Sequence, residues 1–399
     1  LICAAFDIRL KGKSCMAFNI AIGPRERKSP FYDCTVEDGV THFTVYNHMY
    51  MPVSYGDPEA EYRRLIQGVT MWDVAAERQV EITGPDAERL IRYLTPRDLK
   101  DLPIGKGYYV PICDHQGNLI NDPVLLRIED QRFWLSIADT DVLLWVRGVA
   151  FEGGFDVTTY EPDVSPLAVQ GPKARDVIIS LFGEWITELQ NFWFRETELD
   201  GVPVVLQRSG WSKQGGYELY LCDSERGTDL WNKVKAAGQP FGIGPGAPNY
   251  IERLESSLLS IGADTLWDSD PFEAGLDKML DLDRDDDFIG KAALRTLAKS
   301  GSRRKLVAVV FDGDPIEPNE HPWPIFIDGN RVGSVRSAGY SPRRKSNIGF
   351  ALIDRAHQDE GTMLDIRNVQ KSFLGEVVTF PIVEPGTPLP DNDWDIELI

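Results

Sequence analysis

The sequence predicts an α+β protein: two related split-βαβ halves in one body, followed by a separate all-β region. Three observations carry this. RQVEITGPDAERLIRYL (78–94) alternates Val80 and Ile82, turns at Gly84-Pro85, and continues with Leu90, Ile91 and Leu94 at helical spacing. PLAVQGPKARDVIISLF (166–182) repeats that pattern, with Leu167 and Val169, then Gly171-Pro172, then Val177, Ile178, Leu181 and Phe182. From Arg303 onward the chain changes to short strands (LVAVVF, PIFIDGNRVGSV, NIGFALI, TMLDIRN, EVVTFPIV) with an Asp328-Gly329 hairpin signal. This predicts a boundary near residue 300 and a small antiparallel barrel or sandwich beyond it.

The composition suits a globular chain of two or three domains: 399 residues, 42% hydrophobic and 26% charged. A net charge of -20 repels nucleic acid and anionic membrane surfaces, so the expected partner is a small molecule, with no nucleic acid and no membrane. No apolar run approaches the ~20 residues of a membrane helix. Cys3, Cys15, Cys34, Cys113 and Cys222 form an odd, scattered set without a CxxC pair, which fits a reducing, cytoplasmic compartment. The five histidines never fall into HxxxH or HxH spacing, so no metal site is expected.

In chain order, residues 1–15 lack an initiator methionine and read as an upstream extension, with Met16 as the natural start. Residues 16–38 have mixed charge and little periodicity and read as an extended arm. THFTVY is strand-like and leads into NHMYMPVSY, whose methionines and tyrosines suit either a core or the wall of a flat ligand site. Between the two Gly-Pro copies lie two β-rich runs joined across Gly117, the strand RFWLSIA, and a helix starting near Asp139-Thr140.

After the second copy come NFWFRETEL and the strand VPVVLQ, a helix over about 228–237, and a longer one in NYIERLESSLLSIGAD with Ile251, Leu254, Leu258 and Ile261 on one face. The acidic run at 283–287 lacks EF-hand spacing and reads as a solvated loop. Residues 384–399 read as a tail.

One stretch stands out, RSGWSKQGGYELYL (208–221): a strand, a Gly-rich turn with Trp211, then a strand carrying Glu218 and Tyr220 on one side of the pleat. Two readings stand. It is a plain hairpin with Trp211 over the core, or a ligand-facing turn that offers an aromatic face, a carboxylate and a phenol.

Taken together, MWDVAAERQVEITGPDA, GNLINDP, AVQGP, RSGWSKQGGYEL, RLESSLLSIGAD, PFEAGLD and DFIGKAAL resemble the folate-dependent aminomethyltransferase superfamily, the T-protein of glycine cleavage and its demethylase relatives, from about Met51 to residue 383. The resemblance implies two fused ferredoxin-like domains around a folate channel (16–299), closed by a C-terminal antiparallel β-barrel (300–383). It implies tetrahydrofolate as one-carbon acceptor, Glu218 as the carboxylate that accepts paired N–H bonds from a pterin, and cofactor contacts at Arg253, Met51 and Asp122. Arg253 and Glu255 have a second reading, as a pair holding helix to sheet. Tyr109 falls on the channel wall.

The departures point within the family. Two adjacent acids in the aminomethyltransferases here read Asn121-Asp122, an asparagine near the folate is Ala138, and a threonine-rich turn is GWSKQGG. With YNHM and IGKGYYVPI, these resemble the dimethylsulfoniopropionate demethylase branch. That implies methyl transfer from this sulfonium to tetrahydrofolate without an acid or base, with Tyr109 and Asn121 positioning and with Trp211, Tyr220, Tyr109 and Lys106 on the substrate. Lys213 is an alternative to Lys106 for the substrate carboxylate, and SPRRK (341–345) is either a patch for the folate tail or an exposed basic loop. Alternatives are an aminomethyltransferase, disfavoured by Asn121 and Ala138, another folate-dependent O- or N-demethylase, and a non-catalytic folate-binding protein, whose KGCYxGQE motif is missing. Homo-oligomerisation is left open.

Overall fold

A computed structural model describes residues 23–390. The expected upstream extension, Met16, Cys3, Cys15 and the last part of the expected tail lie outside the described residues.

The two Gly-Pro copies form equivalent units. In the first sheet the strands run Thr158–Tyr160, Gln79–Thr83, Arg132–Ser136, Val124–Glu129, Gly107–Tyr109. In the second they run Gly244–Gly246, Thr70–Asp73, Ser165–Gln170, Gly216–Leu221, Val202–Gln207, Phe194–Leu199. The first places its fourth strand beside its first, and both place their third between first and second, as in the ferredoxin-like order. The second unit admits Thr70–Asp73 between its fourth and first strands, parallel to Gly244–Gly246.

Helices Ala87–Leu94 and Val142–Glu152 bury Leu90, Ile91, Leu94, Val142 and Val146 on the first sheet. Ala174–Phe182 and Gly227–Gly238 bury Val177, Ile178, Leu230, Trp231 and Val234 on the second. At both strand-to-helix turns the glycine is obligatory. Gly84 and Gly171 have φ +124° and +117°, and an added Cβ would lie 2.7 Å from Asp156 O and 2.6 Å from Gly68 O.

With helices on the outer faces, the two sheets meet through their inner ones. Leu126, Ile128 and Trp134 of the first pack on Phe194, Val205 and Tyr220 of the second. The two units are also stitched at one edge, where Gly107 N donates to Phe192 O at 2.7 Å and Phe194 N to Gly105 O at 2.8 Å. This face-to-face seam positions the candidate site.

The C-terminal strands close a six-stranded antiparallel barrel over Arg304–Phe311, Trp323–Ile327, Asn330–Ser341, Ser346–Asp354, Met363–Arg367 and Ser372–Val378, so barrel replaces sandwich. Two local expectations are corrected. The supposed arm contains helix Tyr32–Glu37, anchored by buried Phe31, Cys34 and Thr35, with Phe31 6.2 Å from the ring of Trp231; its charges had hidden this short apolar anchor. The long helix expected through Ile261 stops at Glu255, because Ser257 turns to φ +62° and Leu258 N bonds back to Arg253 O at 2.8 Å. Among the described residues, no helix is long and apolar enough to cross a membrane.

Candidate active site

Strands Val202–Gln207 and Gly216–Leu221 stay paired to Gln207 opposite Glu218, then part into a loop at 208–215. The loop is tied down rather than folded as a tight hairpin. Gln214 Nε2 and Lys213 N donate to Glu252 Oε1 at 2.9 and 3.1 Å, and Ser212 Oγ to Gln170 Oε1 at 2.8 Å. Gly210 passes so close to the Gln170 amide that a Cβ there would overlap it, at 1.9 Å from Nε2. Trp211 is half-buried in this loop, its ring 6.0 Å from the Arg253 guanidinium.

Glu218 is buried, with Oε2 bonded by Ser209 Oγ and 3.1 Å from Tyr220 Oη. Gln207 Oε1 meets the same two hydroxyls at 3.0 and 3.1 Å. Burial pushes the Glu218 carboxyl above the usual carboxylate range, against the pull of Ser209 and Tyr220. Among the described residues no protein donor is recorded on Oε1, so the carboxylate keeps an edge for paired N–H donors of a pterin. The donor set therefore fits tetrahydrofolate.

Across the seam the first unit presents Tyr109, whose Oη donates to Asp122 Oδ2 at 2.5 Å. Burial pushes the Asp122 carboxyl up to about 7, opposed by the Tyr109 bond. The hairpin His42–Tyr46 and Met49–Ser54 covers this side, turning at Asn47 and His48 with φ +49° and +59°. Its turn is pinned by Asn47 N to Asp139 Oδ1 at 2.7 Å and by Asn47 Nδ2 to Ala76 O and Ala138 O at 3.0 and 3.1 Å. Tyr46 is thereby brought within electrostatic reach of Glu77 and Asp122, while Met51 packs on the second unit's core.

Several expected site residues are placed differently. Asn121 is fully buried: its Nδ2 donates to Ala138 O and Thr140 Oγ1 at 2.9 and 2.8 Å, and its Oδ1 accepts from Ala138 N at 3.1 Å. The amide is consumed in holding the LSIAD strand end and is not a group facing a substrate. Tyr220 is buried against Trp134, ring centroids 6.3 Å apart, so it supports Glu218 instead of offering a ring face.

Arg253 is not a free cation for folate: Nη1 pairs with Asp264 at 2.9 Å and Nη2 donates to Ser337 Oγ at 2.8 Å, fixing its helix to the barrel. Glu255 acts likewise, through Arg343 at 2.6 Å and Tyr62 Oη at 2.7 Å, which removes Arg343 from the expected SPRRK patch. Lys106 lies at the stitched edge, 5.3 and 5.5 Å from the Tyr108 and Trp193 rings, and Lys213 is exposed on the loop. The structure thus gathers Glu218, Tyr109 and Asp122 at one seam and leaves both lysines outside it.

Sequence reasoning passed over Tyr46, Glu77, Gln207 and Ser209. Only Gln207 and Ser209 had a usable signal, since strand register sets them beside Glu218 across the turn.

Two stacked ferredoxin-like units with a carboxyl-lined seam, followed by a closed barrel, define a two-part scaffold. The chain belongs to the glycine cleavage T-protein family: the GCVT N-terminal domain matches residues 31–284, and the glycine cleavage T-protein C-terminal barrel domain residues 304–384. It is 44% identical over 342 residues to dimethylsulfoniopropionate demethylase DmdA of Ruegeria pomeroyi, covering 86% of this chain and 93% of that protein. It is 28% identical over 364 residues to the aminomethyltransferase of Bacillus subtilis, covering 89% and 98%. The crystal structure of aminomethyltransferase T from Bartonella henselae shares the fold, with a TM-score of 0.81 at 22% identity, covering 90% of this chain and 98% of that one.

Proposed function

We propose that this chain is a tetrahydrofolate-dependent methyltransferase that demethylates dimethylsulfoniopropionate, giving methylthiopropionate and 5-methyltetrahydrofolate. The observation that carries this is the 44% identity to the demethylase over both parts of the chain, against 30% and 28% to aminomethyltransferases.

The chemistry suits the site. Displacement at a sulfonium methyl carbon releases a neutral thioether, so the leaving group needs no proton. Tetrahydrofolate supplies the nucleophilic nitrogen when bound. Glu218 anchors the pterin, Met51 and Tyr109 flank it, and Trp211 offers the sulfonium an aromatic face worth ~0.5–2 kcal/mol. Holding donor and acceptor in line can contribute about 7–11 kcal/mol in favourable cases. Each transfer releases one proton, and Asp122 Oδ2, with its carboxyl pushed up to about 7, can take it near neutral pH.

In this reading the folate-binding part ends near residue 299 and residues 300–383 close the site. The reaction belongs in the cytoplasm, as the free cysteines Cys34, Cys113 and Cys222 suggest. Purified protein supplied with both substrates should form 5-methyltetrahydrofolate, followed by chromatography. Exchange with an aminomethyl-lipoyl carrier, and no product from the sulfonium, would show an aminomethyltransferase instead.

A further inference from the structure

Glu77 lies between strands Thr70–Asp73 and Gln79–Thr83, and its main chain is fixed. Glu77 N donates to Val74 O at 2.9 Å, and Gln79 Nε2 to Glu77 O at 2.7 Å. Its carboxyl differs from the surrounding acids. Among the described residues it has no recorded hydrogen bond or ion pair, and its electrostatic neighbours are Glu218 and Asp122. By contrast, Glu218 is held by Ser209 and Tyr220, Asp122 by Tyr109, and Glu81 by Arg132, Trp134 and Tyr160.

Nearby bases are committed elsewhere. Arg78 pairs with Glu161, Arg253 with Asp264, and Lys106 lies over Tyr108 and Trp193. Glu252 Oε2, another unpaired carboxyl oxygen, is sealed from solvent, whereas Glu77 remains partly exposed and opens onto the seam.

An unpaired carboxylate in a recessed site is costly unless it stays neutral or meets a cation. Burial and the two like charges hold Glu77 toward the neutral form in the empty protein. A sulfonium cannot shed its charge, and a recess with three acids and no base is complementary to it. We infer that Glu77 is the counter-charge for the sulfonium of the methyl donor and gives the site its preference for a cationic donor. This rests on the demethylase reading above.

A carboxyl and the Trp211 face together recognise the donor, where the sequence suggested an aromatic face alone.

The test uses the full-length protein and Glu77→Gln, which keeps the shape and breaks no recorded bond. KM for dimethylsulfoniopropionate should rise about 10- to 100-fold, with kcat within about threefold. Affinity for tetrahydrofolate and for the neutral thioether product should stay within about twofold, and Glu77→Asp should recover part of the lost KM. An unchanged KM in a variant whose wild type turns over overturns the role of Glu77 alone, as does a parallel loss of folate and thioether affinity. Absence of methyl transfer by the wild type overturns the demethylase reading and this inference with it.

Discussion

The two ferredoxin-like units build the same hairpin in different ways. In the first, strands Val124–Glu129 and Arg132–Ser136 are joined by Asp130 and Gln131 alone. In the second, Val202–Gln207 and Gly216–Leu221 sit at the equivalent place in the sheet, but residues 208–215 intervene. The fold needs only the shorter connection. The longer one carries Trp211, whose ring lies 6.0 Å from the Arg253 guanidinium, and is fixed by Glu252 and Gln170. The shared architecture serves packing in both units, and the second departs from the first at the loop beside Glu218, where the proposed pterin contact lies.

Breaking that contrast should have its largest effect at Glu218. Glu218→Ala should weaken tetrahydrofolate binding about 100-fold or more, since charge-assisted bonds are lost, whereas Asn-Gly in place of Asp130-Gln131 should leave it unchanged. Equal losses in a fluorescence titration would show that the loop has no special role. Asn121→Asp comes next: a carboxylate cannot donate to Ala138 O, so denaturant unfolding should reveal a loss of about 1–3 kcal/mol.

Asp122→Asn probes the acid of the first unit. The raised carboxyl of the folded protein contributes stability that is fully present below its unfolded value, near 4, and lost as pH rises through about 7. The asparagine stays neutral, so the variant should gain on wild type by about 2–3 kcal/mol between about pH 5 and about pH 8. A constant difference across that range would place the ionisation elsewhere. The smallest effect is expected for Trp211→Ala, where losing the aromatic face should raise KM for the sulfonium about 3- to 30-fold with folate affinity kept.

Much of the scaffold was legible because it rests on local pattern. Alternation, Gly-Pro turns and helical spacing marked both units, and the change near residue 300 marked the barrel. The site was less legible because it forms only when distant segments stack. Asn121 read as a positioning residue, and the partners its amide holds, Ala138 and Thr140, lie on the neighbouring strand end. Arg253 and Glu255 read either as folate contacts or as a pair holding helix to sheet, and the structure shows each in a buried pair, with Asp264 and with Arg343 of the barrel. Glu77 carried no signal in the sequence, and its neighbour Arg78 turns to Glu161. Glu218 stood out because its turn carries several chemical groups within a few residues, and its expected role as a pterin anchor came from the family resemblance.

The most direct test of methyl transfer is a single turnover with dimethylsulfoniopropionate isotopically labelled in one S-methyl group, excess enzyme and tetrahydrofolate. Direct transfer predicts the label on N5 of the folate, in step with the appearance of methylthiopropionate. Label recovered as formaldehyde, or retained on sulfur while the folate carries an unlabelled carbon, would contradict it.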